Sequence, residues 1–591
     1  MKRTTGWVFV AALLIATTQA TAQVRTLDPK PADPAAAPAP PPIIANDARI
    51  LPALSTHGMV ASQEVKASRI GVEVMRRGGN AVDAAVAVGF ALAVTLPRAG
   101  NLGGGGFMMV YLAKEKKTIA IDYRETAPAD TPTDVFLDKS GEFVPERSQS
   151  SGLGVGVPGT VAGLALAHRK YGSGKLTLAQ LIAPAIALAR QGLVVDDDLA
   201  DSLPQAVRRL NRYPSSRAIF LHPNGTALGR GDRLVQSDLA RTLERIARRG
   251  EAGFYQGETA RKLVASVQGH GGRMTLDDLK SYRVVEREPV RGTYRGREIV
   301  SMPPPSSGGV HLIELLNILE GWPIGDYGHN SAQTLHLMAE AMKHVYADRT
   351  QFMGDPDFVK MPVKGLMSKA YAKKIRDQIS PDNAKPSIEI KAADPLPYES
   401  DQTTHYSVVD KDGNAVSNTY TLNFSYGLGL VAAGTGVLLN NELDDFAAKA
   451  GAMNAYGLLG GAANAPAPNK RPLSSMTPTF VFKDGQLEIV TGSPGGSRII
   501  TIVLQIIMNL IDHRMNAAEA TEAVRVHHQW QPDELRVERG LSIDTIKLLE
   551  AKGHNVRIGS VFGSAQTIYR ADGVLMGASD TRQRGAGAVG Y

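Results

Sequence analysis

A pair of threonines at the head of a β-rich run is the first candidate for chemistry in this chain. Thr403 and Thr404 follow a polar, proline-containing stretch (385–402). A threonine hydroxyl is a weak nucleophile unless a base removes its proton, and an amino-terminal threonine provides that base in its own α-amine, whose pKa is about 8. In an intact chain this nitrogen is an amide, so the chemistry requires scission of the Gln402–Thr403 bond. Two threonines at a strand start also fit ordinary β propensity, and the pair alone leaves both interpretations open.

A glycine-containing segment, TGSPGGSR at 491–498, is the second candidate. Its pattern runs from a strand into a helix, and its glycines allow backbone N–H groups to approach a ligand closely at the helix amino terminus. That geometry suits an oxyanion hole, which stabilises the negative charge formed during acyl transfer. A strand-to-helix turn with no chemical role is an equal alternative at this point.

Two other motifs are interpreted as structural. The four glycines at 103–106 are followed by Phe107-Met108-Met109, whereas a phosphate-binding loop requires Lys and then Ser or Thr, so we predict a tight turn into a strand. His527 and His528 are adjacent, so they point in different directions on one element and cannot chelate one ion together. We recognise no H-E-x-x-H motif and no carboxylate–histidine cluster at ligand spacing, and therefore predict no catalytic metal.

The elements that must position these residues are β-hairpins layered with helices, which predicts an α+β fold. Turn signals between β-rich runs predict three hairpins, formed by 404–410 with 415–422, 479–482 with 487–491, and 566–569 with 574–577. Periodicity predicts helices over residues 63–77, 81–95, 178–191, 237–248, 333–349, 498–511 and 542–552. The second of these is almost entirely Ala and Val, so we expect it to be buried on every side. The stretch 385–402 reads as a solvent-exposed connector.

Composition excludes several functional classes. The chain has 591 residues and no Cys, which rules out disulfides, thiolate metal sites and cysteine catalysis. The net charge of +7 is spread over 65 basic and 58 acidic residues, and aromatic residues make up only 6% of the chain. Nucleic-acid binding requires a concentrated basic stripe with interleaved aromatics, so we predict no nucleic-acid partner.

The first 49 residues have the pattern of an export signal followed by a spacer. Lys2 and Arg3, the apolar run 7–16 and the small residues 20–22 predict a signal peptide over 1–22, cleaved before Gln23. The apolar run is shorter than the ~20 residues of a membrane helix, so we predict no membrane anchor. Residues 23–49 contain a Pro/Ala tract that favours polyproline II and predicts a linker. A bacterial periplasm is the simplest destination.

Seven ordered blocks of the sequence resemble the γ-glutamyltranspeptidase family. The blocks are GNLGGGGFM at 100–108, DYRETAP at 122–128, MPPPSSGG at 302–309, TTHYSVVDKDGNAV at 403–416, LNNELDDF at 439–446, RPLSSM at 471–476 and TGSPGGSRI at 491–499. The resemblance implies an Ntn-hydrolase fold, a four-layer αββα sandwich, assembled as a heterodimer of a large subunit (50–402) and a small subunit (403–591) cut from one precursor. It implies no cofactor.

The resemblance also implies a role for ten residues. Thr403 would be the nucleophile, Thr421 would hold and help activate it, and Gly495 and Gly496 would donate to the oxyanion. The remaining six would bind the γ-glutamyl head: Arg124 with Ser474 and Ser475 at the α-carboxylate, and Asn423, Glu442 and Asp445 at the α-amino group. An arginine binds a carboxylate through two hydrogen bonds, and carboxylates bind an ammonium group. This chemistry agrees with the implied roles at the α-carboxylate and the α-amino group.

The implied activity is cleavage of γ-glutamyl amides such as glutathione, with transfer to water or to amino acid or dipeptide acceptors. The Gly/Ala-rich segment between Asp445 and Arg471 stands where many bacterial members carry a lid loop, so we expect a covered donor pocket. Two alternatives remain. One is a cephalosporin or glutaryl acylase on the same fold, against which Asp445 argues, and the other is an uncut, non-catalytic binding protein.

Overall fold

The structure is a computed structural model that describes residues 50–390, 403–449 and 461–591. The predicted signal peptide (1–22), the predicted linker (23–49), Gln402 and the middle of the expected lid segment lie outside the described residues. Among the residues that are described, no helix is both long and apolar enough to cross a membrane.

The strands are β1 (Ala53–Ser55), β2 (Met59–Ser62), β3 (Gly105–Leu112), β4 (Lys117–Tyr123), β5 (Leu193–Val194), β6 (Arg233–Leu234), β7 (Val285–Arg287), β8 (Val290–Tyr294), β9 (Arg297–Ser301), β10 (Thr404–Val409), β11 (Ala415–Thr421), β12 (Val431–Ala432), β13 (Val437–Leu438), β14 (Thr479–Lys483), β15 (Gln486–Thr491), β16 (Val526–His527), β17 (Leu535–Glu538), β18 (Val556–Gly559), β19 (Gln566–Ala571), β20 (Val574–Ser579) and β21 (Gly587–Gly590).

The α-helices are α1 (Val65–Arg76), α2 (Ala81–Thr95), α3 (Pro145–Gln149), α4 (Thr160–Tyr171), α5 (Leu178–Gln191), α6 (Asp197–Leu210), α7 (Pro214–Phe220), α8 (Ser237–Arg249), α9 (Ala252–Tyr255), α10 (Gly257–Gln268), α11 (Leu276–Ser281), α12 (Gly308–Leu319), α13 (Ile324–Tyr327), α14 (Ala332–Phe352), α15 (Val363–Leu366), α16 (Lys369–Arg376), α17 (Ile499–Ile511), α18 (Ala517–Glu522) and α19 (Ile543–Ala551). Short 3₁₀ turns cover Gly152–Gly154, Ser387–Glu389, Glu442–Asp445, Ala462–Asn464 and Gly496–Arg498.

Two antiparallel seven-stranded sheets form the centre of the fold. One has the strand order β21-β2-β10-β11-β3-β4-β7 and the other β1-β20-β19-β15-β14-β9-β8. Helices α1, α2, α4, α5 and α8 share an apolar core with the first sheet, while α12, α14 and α17 share one with the second. The sheets pack face to face through β10 and β2 against β19 and β20. This order of layers is the expected αββα sandwich.

The side chains of the central hairpin of the first sheet alternate between two apolar cores. Along β10, Tyr406 and Val408 face α2 and its neighbours, whereas Val409 lies in the core between the sheets. Because side chains alternate along a strand, the odd-numbered residues of this run point towards the second sheet. Thr403 belongs to that set.

The predicted hairpins and helices are confirmed, with ends that differ by at most three residues. Helix α2 has the predicted bounds and is buried at every position. The prediction that 385–402 is exposed is wrong at Ser387 and Ile390, which are buried. Asp533 accepts hydrogen bonds from the Ser387 hydroxyl (2.7 Å) and amide (2.8 Å). A distant carboxylate therefore docks a segment whose composition is that of an exposed connector.

Candidate active site

The β10–β11 hairpin places two predicted site residues opposite each other. Its register pairs Thr404 with Tyr420. Extended by one residue, the same register sets Thr403 opposite Thr421. Directly opposed residues of an antiparallel pair have Cβ atoms about 5 Å apart, so the two threonine side chains are neighbours on the same face. Both are buried. The turn signal at 411–414 predicts the hairpin, and the structure decides its register, which pairs Val409 with Ala415.

The Thr421 hydroxyl is oriented by the residue two positions on. Asn423 has left-handed backbone geometry (φ 71°), and its N–H donates to Thr421 Oγ1 at 2.8 Å. The Asn423 side chain in turn donates to the carbonyl of Asn441 at 2.9 Å. An oxygen that accepts from this amide still has its own hydrogen to donate, and the facing residue is Thr403.

The four glycines at 103–106 allow backbone to lie beneath this pair. A Cβ on Gly104 would stand 1.9 Å from the Thr421 carbonyl oxygen, and one on Gly106 would stand 2.3 Å from that of Thr419. The Asn101 side chain also donates to the Thr421 carbonyl at 2.8 Å. These contacts support the structural interpretation of the quartet and show why side chains larger than hydrogen do not fit there.

The predicted oxyanion donors lie at the start of the second sheet's helix α17. Gly495 and Gly496 have φ of 141° and 53°, which favours glycine, and the 3₁₀ turn Gly496–Arg498 leads directly into α17. In the described part of the chain, neither amide donates a hydrogen bond to a backbone or side-chain acceptor. Amides at a helix amino terminus attract negative charge.

His405 connects strand β10 to the glycine-containing loop. Its ring is fully buried, bonds to the Thr419 hydroxyl at 2.8 Å and lies against Gly492, where a Cβ would meet the ring at 2.3 Å. Burial lowers the pKa of His405 to about 3, so the ring is neutral at neutral pH. We assign it a packing role between the two sheets rather than that of a base.

Arg124 lies in the centre of a buried charged cluster. Its side chain is 0% exposed, its two terminal nitrogens contact Glu442 and Asp445, and its Nε donates to the carbonyl of Pro472 at 3.2 Å. The carboxylates therefore contact the guanidinium directly instead of facing it across the cavity, because a buried cation requires counter-charges. The acids raise the pKa of Arg124 further despite its burial.

Glu125 is a fourth charged member that the sequence analysis missed. It is fully buried, neither of its oxygens has a hydrogen-bond partner in the described residues, and it lies 3.8 Å from Arg124 Nη1. Burial raises the pKa of Glu125 to about 7. Burial also raises the pKa of Glu442 well above its usual range, and the neighbouring carboxyls of Glu125 and Asp445 add to the effect.

The loop that carries Ser474 and Ser475 is built against the MPPPSSGG segment. Ser307 donates from both its amide and its hydroxyl to the Ser474 carbonyl, each at 2.8 Å, and Ser474 N donates to Pro305 O at 2.9 Å. Arg349 on α14, also missed from sequence, donates to Ser475 Oγ at 3.0 Å. The motif at 302–309 thus holds the serine loop in place.

These parts meet around one cavity. Nine of the ten predicted site residues line it, and Gly495, the tenth, directly precedes the lining residue Gly496. The five additional lining residues are Arg349, Leu473, Met476, Ser497 and Ile499.

One cluster of potential metal ligands lies elsewhere in the described residues. Ligand atoms of His336, Glu340 and His554 lie within 4.8 Å of one another. His336 and Glu340 are one turn apart on α14, so the sequence interpretation that no such pair stands at ligand spacing is wrong. The two imidazoles bond each other at 2.8 Å, and Lys343 Nζ lies 2.8 Å from Glu340. Because the imidazoles bond each other and Glu340 is ion-paired with Lys343, we assign the cluster a structural role.

Comparison with known proteins decides the family. The sequence model of the Gamma-glutamyltranspeptidase family matches residues 67–590. The chain belongs to the γ-glutamyltranspeptidase family. The resemblance stated from the seven sequence blocks is therefore confirmed.

Individual relatives agree with this membership. The glutathione hydrolase proenzyme of Escherichia coli strain K12 is 54% identical over 542 residues, which cover 91% of this chain and 93% of that protein. The crystal structure of Helicobacter pylori gamma-glutamyltranspeptidase is 46% identical, with a TM-score of 0.54, and covers 58% of this chain and 96% of that one. The γ-glutamyltranspeptidase family thus accounts for most of the chain.

A structure with a different name shares the whole fold. Cephalosporin acylase from Bacillus halodurans matches with a TM-score of 0.82 at 28% identity, covering 95% of this chain and 99% of that one. The fold of this γ-glutamyltranspeptidase family member is thus also that of an acylase. The choice of acyl donor has to be argued from the residues of the cavity.

Proposed function

We propose that this protein is a γ-glutamyltransferase and glutathione hydrolase that matures by cutting itself between Gln402 and Thr403. The observation that carries the proposal is that Thr403 lines the same cavity as Arg124, Glu442 and Asp445. A guanidinium beside two carboxylates offers charges of both signs to a free amino-acid head. A head held there leaves the γ-carbonyl of the substrate for Thr403.

Maturation and catalysis use the same oxygen. In the precursor, Thr403 Oγ adds to the carbonyl carbon of Gln402, the C–N bond breaks, and the Thr403 nitrogen takes the proton and becomes an amine. Water then hydrolyses the resulting ester, which leaves a carboxylate on Gln402 and restores the Thr403 hydroxyl. The products are a large subunit ending at residue 402 and a small subunit, 403–591.

In the mature enzyme the new α-amine takes the proton of the Thr403 hydroxyl as the oxygen attacks the γ-glutamyl carbonyl. The N–H groups of Gly495 and Gly496 stabilise the oxyanion, and Thr421 donates to the nucleophile. The amine of the leaving peptide takes a proton and departs, for glutathione as cysteinylglycine. Water, an amino acid or a dipeptide then takes the acyl group from Thr403.

The test compares Thr403→Ala with Thr403→Ser. Thr403→Ala removes the oxygen, so we expect a single full-length band on a denaturing gel and no release of p-nitroaniline from the γ-glutamyl anilide. Thr403→Ser keeps a hydroxyl and, after cleavage, an α-amine, so we expect two subunits and partial turnover. Two subunits or retained turnover in Thr403→Ala would refute the proposal.

A glutaryl or cephalosporin acylase is the second candidate, because an acylase shares the fold with a TM-score of 0.82. A glutaryl donor lacks the α-amino group, so Glu442 and Asp445 would have no ammonium to bind. We expect kcat/KM for γ-glutamyl p-nitroanilide to exceed that for glutaryl p-nitroanilide. The reverse order would favour the acylase.

An uncut binding protein is distinguished by mass. Purified enzyme should give two masses, one of them equal to residues 403–591. A binding protein would give one chain.

Export to the periplasm completes the proposal. It is supported by the charged, apolar and small-residue pattern of residues 1–22. Amino-terminal sequencing of the periplasmic fraction should find chains that begin at Gln23 and Thr403, whereas a chain that begins at Met1 would contradict removal of the signal.

A further inference from the structure

Arg349 is a second buried guanidinium in the cavity. It lies on α14, its side chain is buried, and it lines the cavity together with Arg124. It differs from Arg124 in its partners, since its Nε donates to Ser307 Oγ at 2.9 Å and its Nη2 to Ser475 Oγ at 3.0 Å. Within the described residues, no carboxylate lies in ion-pair contact with it.

The two serines must act as acceptors towards Arg349, because a guanidinium has only donors. Ser307 then uses its own hydrogen to bond the Ser474 carbonyl at 2.8 Å. Ser475 Oγ accepts in the same way, and its hydrogen has no acceptor assigned in the described part of the chain. Since Ser475 lines the cavity, that hydrogen is available to a ligand there.

The charges around the two arginines also indicate that Arg349 is the one available to an anionic ligand. Arg124 contacts two carboxylates, and a third, Glu125, lies 3.8 Å away. Its positive charge is therefore largely balanced before substrate binds, whereas the charge of Arg349 is not. A buried cation without a counter-ion is costly, and an anionic group that enters the cavity supplies the missing charge.

We propose that Arg349 is a positioning and specificity-determining residue for the donor: it fixes the Ser475 hydroxyl as a hydrogen-bond donor and supplies the counter-charge for the α-carboxylate of the γ-glutamyl head. The inference rests on the proposed function, which places that head in this cavity. It assigns to Arg349 the discrimination between donors with and without an α-carboxylate, and it assigns no part in the attack by Thr403.

The test uses two donors that differ only in that group. γ-Glutamyl p-nitroanilide carries the α-carboxylate, and 4-aminobutanoyl p-nitroanilide is the same donor without it. In Arg349→Gln we expect KM for the first donor to rise roughly tenfold to 100-fold, the loss of one charge-assisted interaction, with kcat changed less than threefold. KM for the second donor should change less than threefold. Arg349→Lys keeps the charge and should recover part of the discrimination.

A double-mutant cycle tests whether Arg349 acts through Ser475. If it does, Arg349→Gln should add little to Ser475→Ala on the γ-glutamyl donor, so the two effects should be clearly less than multiplicative. Self-cleavage on a denaturing gel serves as the folding control. Should Arg349→Gln fail to mature, Arg349→Lys is compared with the parent on both donors, with an intermediate loss of discrimination expected.

Three results would overturn the inference: an equal loss on both donors, fully multiplicative effects in the cycle, or Arg349→Lys with the same donor ratio as the parent. A parent enzyme that cleaves neither donor would refute the proposed function instead. The two failures are therefore distinguishable.

Discussion

Replacing Arg124 by Met separates the structural role of this residue from its proposed role in binding. The change removes the guanidinium while keeping much of the apolar stem, and it leaves Glu442 and Asp445 without their cation. The side chain of Glu442 is 1% exposed and that of Asp445 12%. Removing one partner of a buried pair costs about 3–5 kcal/mol, and we expect most of this loss to come from Glu442, since water reaches Asp445.

The double variant Arg124→Met/Glu442→Gln removes the buried charge that the single variant leaves behind. We expect it to recover about half or more of the lost free energy of unfolding, roughly 2 kcal/mol. It restores no group that binds a carboxylate. Donor binding should therefore stay impaired, with kcat/KM for the γ-glutamyl anilide at least about 100-fold below the parent, equivalent to about 3 kcal/mol.

The assay measures both quantities on processed protein. Urea unfolding followed by tryptophan fluorescence reports stability, and initial rates on the anilide report kcat and KM. Glu442→Gln alone is the matched control for the loss of the acid. The reasoning would be refuted if Arg124→Met kept the donor KM of the parent, or if the double variant regained activity together with stability.

Three further predictions concern the residues that support the site. Thr421→Val leaves the Asn423 amide without its acceptor and should slow both self-cleavage and turnover at least about tenfold, whereas Thr421→Ser should keep most of both rates; equal rates in Val and Ser would contradict this. Gly104→Ala introduces a Cβ 1.9 Å from the Thr421 carbonyl and should block maturation on a gel, unlike the control Gly229→Ala, whose Cβ would have no neighbour closer than 3.8 Å. Burial raises the pKa of Glu125 to about 7 from an unfolded value of about 4.3, so its contribution to stability is present at low pH and lost as pH rises through 7. Glu125→Gln mimics the protonated form and should raise the urea midpoint little at pH 4.5 but by the equivalent of about 3 kcal/mol at pH 8; the same gain at both pH values would contradict the shift.

Local patterns in the chain were sufficient for most secondary structure. Helix α2 begins after Asn80, whose side chain and that of Asp83 form a capping box, and it is apolar at nearly every position. The three hairpins follow from turn residues between β-rich runs. These capping and turn signals depend only on residues close together in the sequence. The ends of the helices and strands could therefore be predicted closely.

Contacts between residues far apart in the sequence could not be predicted from local patterns. Ser307 and Ser474 are 167 positions apart, and Arg349 and Ser475 are 126 apart, yet both pairs are hydrogen-bonded. The docking of Ser387 on Asp533 and the approach of His405 to Gly492 are of the same kind. The MPPPSSGG motif was recognisable as a block of the family, but its task of holding the serine loop was not.

By itself, the order of residues determined the family, the presence of the hairpin that follows Thr403, and the types of residue available for acyl transfer. The tertiary structure alone decided the register of that hairpin, the contacts of Arg124 with Glu442 and Asp445, and the burial of Glu125 beside them. It also decided that Arg349 lines the cavity with no carboxylate in ion-pair contact among the described residues. The physical reason is that turn formation and helix capping depend on neighbours along the chain, whereas strand register, burial and the balance of charge depend on every segment that folds around a group.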